Sequence, residues 1–234
     1  MACFLKGARK VALTGCAVAV AIIAAACGSS GAPDPQEVRK LASGSDAQTA
    51  RDQVEQELRL IIDSYSRETA LNLALLVVED RCVPGSATEW FFPSGRDQYT
   101  VKCTMHVQAY FGVPSDQIGD SLESVVEASA FDRTIPFGSD EFRRDVIAFY
   151  RGEGPNPLGA HAKDPTSFVD STQRLSWDSQ KHGIRVQELK PTLENDPPLT
   201  RTSFEPAIQS VQLIRERHGV VFHLDLARRV YFVV

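Results

Sequence analysis

The chain has 234 residues, 43% of them hydrophobic, and 25 Lys and Arg against 30 Asp and Glu give a formal net charge of −5. No cluster of Lys and Arg follows residue 10 to replace the counterions of a polyphosphate, which excludes nucleic acid as a partner. The length suits one domain with a substantial core.

Lys6, Arg9 and Lys10 precede an apolar run from Val11 to Cys27. A basic start, an apolar stretch of about 16 residues that is short for a bilayer, and a small-residue ending make a secretory signal peptide. Ala24-Ala25-Ala26-Cys27, followed by Gly28-Ser29-Ser30-Gly31, resembles the lipobox of bacterial lipoproteins, those of high-GC Gram-positive bacteria in particular. The resemblance implies that the Cys27 thiol receives a diacylglycerol, with palmitate as an expected acyl chain, and that residues 1–26 are removed. The protein would then sit lipid-anchored on the extracytoplasmic face of the cell membrane. Leu13-Thr14-Gly15-Cys16 has a similar spelling, but cleavage there leaves only Val11 to Gly15 as an apolar core. Cutting before Cys27 removes three basic and no acidic side chains, leaving a charge of about −8. Attachment is therefore expected through the lipid and not through a basic face.

Residues 27–45 read as the lipidated N-terminus and a flexible tether, because a Gly, Ser and Pro composition buries too little apolar surface to fold. Such a tether would let the body float about 20 to 25 Å from the bilayer. Residues 46–234 are expected to form one α+β domain, a long N-terminal helix and further helices on a mostly antiparallel sheet. The helix is predicted from Asp46, with Thr49 and Asp52 at capping-box spacing and Val54, Leu58, Ile61, Ile62 and Tyr65 on one stripe. Ala70 to Val78 is apolar on every side and is read as its continuation, stopped by Cys82, Pro84 and Gly85.

Thr88 to Phe92 and Gln98 to Phe111 are predicted as hairpin arms around Pro93 to Asp97, the second arm alternating between apolar Val101, Cys103, Met105 and Val107 and polar Lys102, Thr104, His106 and Gln108. A helix capped by Ser115 or Asp116 follows, with Ile118, Leu122, Val125 and Val126 on its stripe. Another starts near Ser139, carries Phe142, Val146, Phe149 and Tyr150, and stops at Gly152. Glu153 to Thr166 reads as an exposed loop, Thr172 to Asp178 and Gly183 to Leu189 as strands, and Pro191 to Arg201 as a loop. Phe204 to Arg217 suits helix or strand, with Pro206 tilting it to strand, and Val220 to Leu226 with Val230 to Val234 read as a hairpin.

Cys82 and Cys103 are expected to pair, since an exported chain works where thiols oxidise. The closed loop of about 20 residues contributes about 3 kcal/mol in the chain-entropy model. With Cys103 facing inward, the bond would pin the end of the long helix to the second hairpin arm.

Catalytic spelling is missing. The histidines at 106, 161, 182, 218 and 223 have no zinc-ligand spacing, although His218 and His223 bracket a turn, and no Gly-x-Ser-x-Gly, Ser-x-x-Lys or glycine-rich phosphate loop occurs. No metal, cofactor or catalytic residue is assigned. The expected contacts are Trp90, in the run Trp90-Phe91-Phe92, and His161 with Asp164 in the Pro/Gly loop, taken as an exposed pair. The expected function is a non-enzymatic binding role for an envelope protein or polymer. The alternative is a cell-wall-directed hydrolase with a dispersed active site.

Overall fold

A computed structural model of the chain describes residues 34–85, 99–179, 181–188 and 199–234. Cys27, Trp90 and the predicted arm and turn at 88–97 lie outside these residues.

Helix α1, Pro35–Ala42, begins where Asp34 accepts a hydrogen bond from Gln36 N at 3.0 Å and Pro35 supplies a preset φ. Its Val38 is fully buried against Cys82, Val101 and Cys103. This part of the expected tether is therefore folded and docked, because one apolar side chain finds a ready socket. Helix α2, Ser45–Glu68, buries Ala47, Leu58, Ile62 and Tyr65 along one face. No side chain caps its start, and Thr49 donates back to Ser45 O at 2.9 Å instead of closing a capping box.

Helix α2 ends ten residues earlier than the sequence suggested. Thr69 is extended and its hydroxyl donates to Tyr65 O at 2.6 Å. The apolar run beyond it is strand β1, Asn72–Pro84. Leu76 and Val78 enter the core on one face, Leu75 and Val77 on the other. A strand buried on both faces has no alternation to betray it. Strand β2, Val101–Val113, pairs with β1, so the hairpin arm preceding it is 72–84. Its alternating burial matches expectation as far as Val107, after which Gln108 and Tyr110 are buried too. Cys82 faces Cys103 in the β1–β2 register and the two are bonded, so the disulfide joins neighbouring strands and not helix to strand.

Helix α3, Ile118–Ala128, buries the predicted stripe, but neither Ser115 nor Asp116 is its N-cap. Helix α4, Glu141–Arg151, is capped by Asp140, which accepts from Arg143 N at 2.8 Å, and ends on Gly152 at φ 75°. Phe142 is exposed and Ile147 takes its place on the inner face. Strands β3, Ser167–Val169, and β4, Gln173–Trp177, form a hairpin. Residues 181–188 form no strand, since their backbone is tied to the side chain of Asp178 and to the main chain of Ser179.

Strand β5, Leu199–Glu205, pairs with the outer side of β1. Val211–His218 is helix α5 and not strand, started by Ser210 Oγ accepting from Leu213 N at 3.2 Å. Strands β6, Val220–Leu226, and β7, Arg229–Val233, do not pair with each other. Both run antiparallel to β2, one after the other, as a single line broken at Ala227 and Arg228. The expected hairpin is a break because β2 is long enough to pair with both.

The described residues thus make a mixed α+β fold of five helices and one seven-stranded antiparallel sheet, ordered β3-β4-β6-β2-β1-β5 with β7 also beside β2. Side chains of α2, α3 and α4 fill one face with Phe111, Trp177 and Phe222. On the other face Val211 and Ile214 of α5 pack on Leu75, Val77, Tyr110 and Val221.

Candidate functional site

The β3–β4 hairpin fixes the site. Ser167 faces Ser176, Phe168 faces Leu175, and Trp177 N donates to Thr166 O at 3.0 Å. Extending the same register brings Asp164, before β3, alongside Ser179, after β4. Ser179 Oγ donates to Asp164 Oδ2 at 2.8 Å and accepts from His182 N at 2.8 Å, closing a tight local turn. Lys181 N also donates to Asp164 Oδ2, at 3.0 Å, while His182 Nδ1 lies 2.9 Å from Asp164 Oδ1.

Asp164 is only 3% exposed, which corrects its placement on an open loop. Burial pushes its carboxyl up, but the Lys181 amide, the Ser179 hydroxyl and His182 together outweigh this and hold it below the usual carboxylate range. Asp164 N also lies 3.3 Å from His182 Nδ1, so the partly exposed ring is held by both the carboxylate and the main chain of Asp164.

His161 and His182 line one 350 Å³ pocket with Asp164, Lys181, Phe149 and Asn156. Asn156 Nδ2 donates to Ala162 O and Lys163 O, both at 3.1 Å, and its Oδ1 accepts from Leu158 N, which gives the loop its shape. Lys181 Nζ sits 5.4 Å from the centre of the Phe149 ring. The pocket therefore offers an ammonium and two imidazoles over a buried, already paired carboxylate. Ser179 is not a nucleophile poised on His182, because its proton is directed to Asp164. Among the described residues no group of three His, Cys, Asp or Glu is placed to hold a metal.

The predicted His161 and Asp164 are thus brought together, with His182 and Ser179 added. No signal in the sequence singles these two out, since His182 lies 18 positions from Asp164 and reaches it only through the β3–β4 hairpin between them. His218 and His223 are not hydrogen-bonded to each other. His223 stacks on Tyr110 with ring centres 4.6 Å apart, and burial pushes its imidazole down to about 4.

Asp164→Ala should lower stability by about 1–3 kcal/mol, by orphaning the Ser179 hydroxyl and the Lys181 amide, whereas His161→Ala should stay within about 0.5 kcal/mol of the parent. Urea unfolding at neutral pH measures both. Because the folded carboxyl sits below its unfolded value, the contribution of Asp164 is full above about pH 4 and is lost as pH falls through the folded value. Parent and Asp164→Ala curves should therefore converge in acid. Compared with protein-family models, curated proteins and solved structures, the chain matches none.

Proposed function

We propose that this chain is a membrane-anchored extracytoplasmic lipoprotein, carrying a diacylglycerol on Cys27, whose folded body is a non-enzymatic binding module. The signal-like start and Ala24-Ala25-Ala26-Cys27 support the anchor. The Cys82–Cys103 bond is in keeping with an oxidising compartment. The binding role rests on one observation: Asp164 engages Ser179 and His182 together, which leaves the Lys181 ammonium in a pocket without a nucleophile at its imidazole. The ligand class that fits is an anionic group, carboxylate or phosphate, on an envelope protein or polymer.

Cys27→Ser should abolish incorporation of labelled fatty acid and release the chain from the membrane fraction, or leave the signal uncleaved. Label entering the variant undiminished would remove Cys27 as acceptor. Lys181→Ala and His182→Ala, whose side chains lie at the pocket wall, should each weaken co-sedimentation with isolated cell envelopes at least fivefold. Retention equal to the parent in both places the contact elsewhere.

A hydrolytic reading is favoured by one feature alone, the Asp164–His182 pair, since an imidazole oriented in this way can take a proton from water. Turnover of peptidoglycan or an ester by the purified chain, abolished by His182→Ala, would establish it over the binding reading.

A further inference from the structure

We infer that strand β7 is an interface, at which a second copy of this chain adds antiparallel to the sheet and forms a weak two-fold dimer. Among the described residues the sheet has three edges, β3, β5 and β7. An open edge offers unpaired N–H and C=O groups to another strand, and folded chains blunt such edges with short strands, charge or Pro. β3 is three residues long. β5 carries exposed Arg201 and Glu205, and Pro206 follows it directly. β7 has only Arg229 at its start, after which Val230-Tyr231-Phe232-Val233-Val234 holds no charge, Pro or Gly.

β7 pairs with β2 along one side, and no main-chain hydrogen bond among the described residues reaches its other side. Tyr231 is an extra residue in this ladder, so Thr104 faces Val230 while Lys102 faces Val233. Two residues three positions apart therefore lie on one side of the sheet, Val230 51% and Val233 52% exposed. The bulge widens the apolar border where it would ordinarily turn an edge away.

Symmetry selects a second copy as the occupant. A two-fold interface must complement itself. Antiparallel copies of this segment bring β-branched and aromatic side chains against their own kind, and no like charges come opposite whichever of the five residues lies on the axis. Strand addition of this kind sets the axis perpendicular to the sheet, so both copies carry α1 on the same face, where Val38 covers Cys82 and Cys103. Two chains anchored at Cys27 can therefore reach one bilayer from that face, at a raised effective concentration. That alignment rests on the proposed anchor; the pairing itself does not. Growth stops at two, since the edges left over are the short β3 and the charged β5. Five paired residues fall short of the roughly 1,600 Å² of a standard stable interface, which makes the dimer weak and reversible.

Sedimentation velocity of the purified full chain, kept unlipidated by Cys27→Ser, tests this over a concentration series. A monomer–dimer equilibrium is expected, weakened about tenfold or more when Val230→Lys and Val233→Lys are combined. Both side chains are half exposed, so this variant should keep its fold, checked by an unchanged melting temperature. Ser203→Lys, on exposed β5, should leave the equilibrium as it is. In the parent, main-chain amides within Val230–Val233 should exchange hydrogen more slowly as concentration rises. A monomer at every concentration, association undiminished in the double Lys variant, equal weakening by Ser203→Lys, growth beyond two copies, or exchange at Val230–Val233 independent of concentration would each overturn the inference.

Discussion

Asp178→Ala should be the most damaging single substitution in the body, costing about 3–5 kcal/mol in a urea melt, the range for removing one partner of a buried ion pair. Asp178 is 0% exposed and sits at the junction of three segments. Its Oδ1 accepts from Val186 N at 2.8 Å and from Arg215 Nη2 at 3.1 Å; its Oδ2 accepts from Arg215 Nε at 2.7 Å and from Val221 N at 3.1 Å. One side chain therefore holds residues 181–188, helix α5 and the start of β6 in register. Every partner is an N–H donor, which separates this prediction from a simple loss of volume. Asp178→Asn preserves shape but turns an amide NH₂ toward N–H groups, so it should recover little of the loss. An Asn variant within about 1 kcal/mol of the parent would show that a single accepting oxygen suffices.

Replacing both Cys82 and Cys103 with Ala should lower stability by about 3 kcal/mol, the loop-closure value for a separation of 21 residues. At roughly 2–4 °C per kcal/mol for a body of this size, the melting temperature should fall by about 6–12 °C. The bond joins β1 to β2 near the end of their ladder, with Val83 facing Lys102 and Pro84 facing Val101 beyond it. Both cysteines are buried beneath Val38, so the variant also loses part of the floor on which α1 rests. Calorimetry of the parent with and without reductant, beside the double variant, measures the effect. Reduced parent and variant should melt together; a variant melting with the oxidised parent would contradict a stabilising role.

Legibility from the sequence followed burial. β2 was readable over residues 101–107 because one face is apolar and the other polar, and α4 because Asp140 and Gly152 mark both ends. β1 was not, since Leu75 to Val78 alternate between two apolar cores and so look the same from either side. α1 and α5 did carry signals, Asp34-Pro35 and Ser210, but both helices have only eight residues, too few to show a period. The site was half legible. His161 and Asp164 stand together in the sequence, whereas Ser179 and His182 reach them only through the β3–β4 register, which is a property of pairing and not of spelling.

The docking of α1 over the disulfide also sets how far the body can stray from its anchor. Chain that is packed against Cys82 and Cys103 is no longer leash, so on the proposed attachment at Cys27 only the seven steps to Asp34 separate acyl chain from folded protein. Whatever conformation those steps adopt, they span at most about 25 Å. A lipid on Cys27 would thus keep Asp34 within about 25 Å of the acylated residue, and the proposed partner would be sought close to the membrane surface.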